Sequence, residues 1–253
     1  MKTIRGLAAP AAAAITLVGS LMVQAGELTV SAAASLTDAF REVAEHFEQA
    51  HPDTSLRFNF AASGVLLQQI ARGAPVDLFA SADQATMDEA EQQSLLLNGS
   101  RQDFAHNALV LVAPADSALD VTDLADLASA PLQRLVLGNP DYVPAGRYGK
   151  TALDSAGLWS TLKDRIIPTQ NVRQALDYVV RGEVDAGFVY ATDAHLMTDK
   201  LIVLAEIPLQ EPISYPIAII ADSDNATEAE HFIAYLLSEE GQAILARYGF
   251  SQP

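Results

Sequence analysis

Residues 28–50 read LTVSAAASLTDAFREVAEHFEQA, and this stretch decides the fold class. Leu28 to Ala32 has the length and apolar content of a short buried strand. Small residues follow, Ala32-Ala33-Ala34-Ser35. From Leu36 to Ala50 the period changes: Leu36, Ala39, Phe40, Val43, Ala44 and Phe47 fall on one helical face. A strand, a turn of small residues and an amphipathic helix make the first half of a βα unit.

The same alternation continues outward from this stretch. Leu56, Phe58 and Phe60 alternate with polar residues, which predicts a half-buried strand. Val65 to Arg72 reads as a helix ended by Gly73 and Pro75, Asp77 to Ala80 as a strand, and Asp83 to Gln92 as a helix. Further on, strands are expected at Ala108–Ala113, Leu135–Leu137, Ala186–Tyr190, Ile202–Leu204 and Pro216–Ile220. Helices are expected at Arg147–Ser155, Val172–Arg181, Thr227–Leu237 and Glu240–Arg247. Strand–helix alternation predicts an α/β fold with mostly parallel sheets flanked by helices. No Pro/Gly-rich linker divides the chain. The apolar strands near Ala108–Val112 and Ile213–Ile220 are instead candidate crossovers, where the chain leaves a first lobe and later returns to it.

The chain has 253 residues, half of them hydrophobic, and no cysteine. That is enough to bury a sizeable core and excludes disulfides and thiolate metal sites. Lys2 and Arg5 precede an apolar run from Leu7 to Val23, and Val23-Gln24-Ala25 offers small residues at peptidase spacing. This pattern predicts a secretory signal, residues 1–25, cleaved after Ala25, with an uncleaved anchor as the alternative. The mature protein is then expected outside the inner membrane. The net charge is −17, from 15 basic and 32 acidic residues; without Lys2 and Arg5 the balance is 13 against 32, or −19. Such a surface repels nucleic acid and anionic lipid. It does not exclude an anionic ligand, because exposed charges are screened beyond roughly 8–10 Å in physiological salt.

The loops carry the functional signal. Ser35 and Ser63 sit where helices begin, each placed as an N-cap, with Asp38 three residues after Ser35. Val143-Pro144-Ala145-Gly146 precedes the helix at Arg147, and Asn171 caps the helix beginning at Val172. Helix starts offer unpaired N–H groups and partial positive charge, which together favour an anion. In an open parallel sheet such turns gather beyond the carboxyl ends of the strands. Tyr190, ending the segment Gly187-Phe188-Val189-Tyr190, is a further donor. Each capped turn alone has an ordinary structural explanation.

Five segments together resemble the periplasmic molybdate-binding proteins of bacterial ABC importers. They are residues 32–37 (AAASLT), 73–83 (GAPVDLFASAD), 143–148 (VPAGRY), 187–190 (GFVY) and 247–250 (RYGF). They occur in family order across nearly the whole mature chain. The resemblance implies a two-lobed periplasmic-binding-protein fold of type II, each lobe a mostly parallel sheet flanked by helices. It implies lobe 1 from residues 26–108 plus 211–253 and lobe 2 from 109–210. It implies a non-enzymatic, monomeric receptor without a cofactor, whose ligand is molybdate or tungstate and whose partner is the membrane permease of an ABC importer. The ligand positions it implies are the hydroxyls of Ser35, Ser63 and Tyr190 and the backbone N–H groups of Ala145 and Val172. Metal would be bound only as the oxyanion. One departure is Ala62-Ser63-Gly64, where relatives carry consecutive serines.

All five positions are neutral donors, which suits a fully deprotonated tetrahedral dianion. Monohydrogen phosphate keeps a proton and wants an acceptor, so it is expected to bind poorly. Sulfate passes the same test, and the sequence does not give the cavity size that separates it from molybdate. Arg147 is expected on the surface or between lobes. Other readings are a sulfate receptor, a ferric-iron receptor, an exported hydrolase or an adhesion module. Gly-x-Ser-x-Gly and His-Glu-x-x-His are both missing, and no two tyrosines are adjacent.

Overall fold

β1 (Gly26–Ala33) pairs in parallel with β2 (Thr54–Ala61) on one edge and β3 (Leu78–Ala80) on the other. The computed structural model describes residues 26–253; the expected signal segment, 1–25, lies outside the described residues. α1 (Thr37–Ala50), α2 (Ser63–Ala71) and α3 (Gln84–Gln92) follow these strands in turn. β4 (Gln102–Asn107) closes this part of the chain, and β5 (Leu109–Pro114) opens the next. Then come β6 (Leu135–Gly138), α4 (Pro144–Ser155), α5 (Trp159–Leu162), β7 (Ile166–Thr169), α6 (Val172–Val180), β8 (Ala186–Tyr190), α7 (Ala191–His195) and β9 (Leu201–Ile207). β10 (Ile213–Ile219), α8 (Ala226–Leu237) and α9 (Glu239–Arg247) end the chain.

The strands form two five-stranded sheets, β2-β1-β3-β10-β4 and β7-β6-β8-β5-β9. In the first, β10 runs antiparallel to both β3 and β4; in the second, β5 runs antiparallel to both β8 and β9. Four of the five strands in each sheet therefore point the same way. The expected α/β architecture of two lobes with mostly parallel sheets is the one observed. The chain passes from the first sheet to the second at Ala108, between β4 and β5. It returns through residues 208–212, between β9 and β10. The passages lie beside the two strands expected to cross over; β5 and β10 each belong to a single sheet.

Burial explains the strand sequences. β5 and β10 are covered on both faces, and their apolar runs lack alternation for that reason. Phe40, Phe47, Phe104 and Phe232 are fully buried around the first sheet, with ring centroids of Phe40 and Phe104 5.6 Å apart. Leu135, Val136, Leu137, Phe188 and Val189 do the same for the second. Two strands escaped the sequence reading. β4 is a polar edge strand, and β7 carries Pro168, which an edge tolerates because the missing N–H is not needed there.

Candidate functional site

Six strands of the two sheets deliver their carboxyl ends to one place. β1, β2 and β3 end next to Ser35, Ser63 and Ala82, and β6, β7 and β8 end next to Ala145, Val172 and Tyr190. All six residues line a single hollow, together with Asn171. Its volume is about 200 Å³. A hollow of that size takes a small ion. The five residues singled out in the sequence are thus brought together, from helix starts on both sheets. Every lining residue is Ala, Ser, Val, Pro, Asn or Tyr, so no Lys, Arg, His, Asp or Glu side chain faces the space.

The serines are not the caps that their position suggested. Ser35 lies inside a 3-10 turn, Ala34–Leu36, and makes no capping bond; Ser63 is the first helical residue of α2, whose N-cap is Ala62. Their hydroxyls are used elsewhere. Ser63 Oγ accepts the N–H of Ala82 at 3.0 Å, and Ser35 Oγ lies 3.0 Å from Tyr215 Oη. Both serines are buried, at 0% and 3% exposure. Asp38 makes no capping box and pairs instead with Arg173 at 2.7 Å.

The other two starts differ. α4 begins at Pro144 rather than at Arg147, because proline at the first helical position is pre-set for the helix and lacks an N–H that would be unpaired anyway. Ala145 is therefore in the first turn, where N–H groups have no intrahelical partner. Gly146 makes this possible: a Cβ there would overlap the Gly138 carbonyl oxygen, so only glycine lets α4 start against the end of β6. Asn171 caps α6 as expected, its side chain accepting from Gln174 N at 3.0 Å. That bond leaves the N–H of Val172 free for a ligand. Tyr190 is fully buried, and burial raises its phenol well above the usual value, so it remains a proton donor.

Charge lies just outside the hollow and is paired across it. Arg147 on α4 meets Asp83 and donates to Thr86 Oγ1 at 2.6 Å, both on the first-sheet side. Arg173 on α6 meets Asp38 of α1, donates to the Ser35 carbonyl at 3.2 Å and lies 2.7 Å from Asp193 on its own side. Tyr190 Oη donates to the Ala82 carbonyl at 3.4 Å, and Gly64 N to the Tyr142 carbonyl at 3.0 Å. The two sheets are thereby closed over the hollow, and Arg147 has the lobe–lobe position. Sequence reading missed Arg173, Asp193, Asn107 and Tyr215. Arg173 was findable as the residue after Val172, but Tyr215 stands in an unbroken apolar strand with nothing to mark it.

The histidines lie elsewhere. His46 Nδ1 contacts Glu240 at 3.2 Å, and His51 stacks on Phe47. Among the described residues no group of three or more His, Cys, Asp or Glu is placed to hold a metal ion.

Comparison with known proteins agrees with this architecture. The chain is 37% identical over 256 residues to the molybdate-binding protein ModA of Escherichia coli (strain K12), covering 97% of this chain and 96% of that one. It is 36% identical over 229 residues to ModA of Haemophilus influenzae, covering 89% and 90%. The solved periplasmic molybdate-binding protein of Azotobacter vinelandii superposes with a TM-score of 0.79 at 26% identity, over 89% of this chain and 99% of that one. The model of the bacterial extracellular solute-binding proteins matches residues 28–251, and the chain belongs to that family.

Proposed function

We propose that this protein is the exported receptor of an ABC importer for molybdate, taking tungstate as well, and that it acts by closing two lobes on the ion without chemical change. The observation that carries the reading is the hollow at the ends of six strands, lined from both lobes by uncharged residues that offer hydroxyl and backbone N–H donors. The relatives named for molybdate binding support the choice of ion. Ser35 and Ser63 would bind through hydroxyls, Tyr190 by turning its hydroxyl proton from the Ala82 carbonyl to the ion, and Ala145 and Val172 through backbone N–H. Hydrogen bonds to a charged group contribute about 1.5–3 kcal/mol each, and micromolar affinity needs about 8 kcal/mol. Five such donors suffice without a buried cation, even after ordering costs.

The mechanism is capture by closure. Residues 26–108 with 211–253 would form one body and 109–210 the other, turning about Ala108 and the 208–212 connection. In the open state the donors of the two lobes separate. The dianion bridges them, and the Arg147–Asp83 and Arg173–Asp38 pairs lock the rim. The closed receptor then docks on the permease from the periplasm, having lost residues 1–25 on export, and works as a monomer.

Calorimetric titration tests this reading. Molybdate and tungstate should bind one to one at micromolar or better, and sulfate, hydrogen phosphate and ferric iron far more weakly. Absence of binding by both molybdate and tungstate would sink it.

A further inference from the structure

Ser35 serves an anion only if its hydroxyl proton points into the hollow, and its neighbours decide where that proton goes. Tyr215 Oη, 3.0 Å from Ser35 Oγ, accepts from Asn107 Nδ2 at 3.2 Å. The Asn107 amide is oriented by its surroundings: Oδ1 accepts the N–H of Ala108 at 2.9 Å, and Nδ2 also donates to Thr192 Oγ1 at 2.9 Å. Reversing the amide would set its NH2 against the Ala108 N–H, donor against donor. An amide nitrogen accepts nothing, so Tyr215 cannot give its proton to Asn107. Among the described residues its other hydrogen-bond partner is Ser35 Oγ. Tyr215 is fully buried, and burial pushes its phenol well above the usual value, so the proton stays on. A buried O–H without an acceptor is unfavourable. The phenol therefore donates to Ser35 Oγ, and the proton of Ser35 is left for the hollow. Ser63 is set the same way by the Ala82 N–H.

We propose that Asn107 and Tyr215 are specificity-determining positioning residues, a relay that fixes Ser35 as a donor toward the ligand. The inference rests on the oxyanion reading above. Neither residue lines the hollow. Asn107 ends β4 where the chain leaves the first sheet, Tyr215 lies in the returning strand, and Thr192 belongs to the second lobe. The relay is thus anchored at the crossover. With Ser35 held as a donor, an oxyanion carrying a proton finds no acceptor there, and hydrogen phosphate is refused by polarity rather than by size.

Two variants test the relay in the purified full protein. Asn107→Asp keeps the oxygen facing Ala108 and replaces the donor by an acceptor. Tyr215 then donates to the carboxylate, Ser35 donates to Tyr215, and Ser35 offers lone pairs to the hollow. Tyr215→Phe removes the relay without adding charge and leaves Ser35 free to turn. Molybdate and sulfate are titrated calorimetrically, and hydrogen phosphate by competition at mildly alkaline pH. Thermal unfolding checks the fold. The molybdate-over-hydrogen-phosphate ratio should narrow by about tenfold in Asn107→Asp and by a smaller factor in Tyr215→Phe. The sulfate-to-molybdate ratio should hold. The added charge repels both dianions alike and cancels in the ratio. If Asn107→Asp does not fold, Tyr215→Phe decides. An unchanged ratio, or hydrogen phosphate that competes in neither variant, overturns the relay while the receptor function stands. A wild-type protein that binds no oxyanion overturns both.

Discussion

Arg173 Nη1 lies 2.7 Å from Asp38 Oδ2, joining the helix that begins at Val172 to the helix that follows Ser35. The same guanidinium touches the Ser35 carbonyl and the fully buried Asp193. One side chain thus fixes two of the segments that line the hollow, without entering it. Near the site its charge is matched by carboxylates, so specificity is left to neutral donors.

Arg173→Gln should therefore act on stability more than on charge at the site. Asp38 is half-exposed and its pair contributes little in water. Asp193 is buried, and a charge stranded there costs about 3–5 kcal/mol. Urea unfolding of the ligand-free protein should show a loss of several kcal/mol, with weaker molybdate binding besides. A variant as stable as the wild type would contradict the pairing.

Asp193 also gives a pH signature. Burial pushes its carboxyl from 3.8 up to about 6, against the pull of Arg173. The folded value lies above the unfolded one, so the folded state holds the proton more tightly. The stabilising contribution is complete below about pH 4 and is lost as pH rises through about 6, roughly 3 kcal/mol in all. The stability of the wild type relative to Asp193→Asn should fall across that window and level off above it. A difference independent of pH would refute the assignment.

Gly64 tests closure. It is helical, so alanine is compatible with its backbone, but a Cβ there would lie 2.8 Å from both Cα and O of Tyr142 on the opposite lobe. Gly64→Ala should fold normally and fail to close fully. Small-angle scattering should show the wild type contracting with molybdate and the variant contracting less, with affinity reduced about tenfold or more. Full contraction and unchanged affinity would mean that the lobes do not meet here.

In the proposed site, Ser35→Ala and Ser63→Ala would each remove one donor to a charged ligand, which is worth about 1.5–3 kcal/mol. Each should weaken molybdate binding by roughly ten- to a hundred-fold. The ligand-free proteins should stay folded, since neither hydroxyl caps its helix. Wild-type affinity in both variants would remove the serines from the site.

The legible part of this molecule was local. Periodicity located β1, α1, β8 and α6, because each pairs a short apolar run or a 3.6-residue face with the core. The five lining positions were visible as small or hydroxyl residues at helix starts and were drawn together by family resemblance. What stayed hidden depends on partners far away in sequence. Ser35 looked like a cap because a serine before an amphipathic helix usually is one; the bond to Tyr215, 180 residues away, claims its hydroxyl instead. Arg173 and Asp193 form their ion pair only once α6 and α7 pack together. β4 and β7, at sheet edges, carry weak patterns because, among the described residues, the outer edge of β7 meets no strand and that of β4 meets only Ser251 in an isolated bridge.

The most direct test of the central claim is a crystal structure with molybdate, using anomalous scattering at the molybdenum edge to find the ion. One strong peak is expected in the hollow, within hydrogen-bonding reach of Ser35, Ser63, Ala145, Val172 and Tyr190 through its oxygens. A peak elsewhere, or none in crystals grown with saturating molybdate, would contradict it.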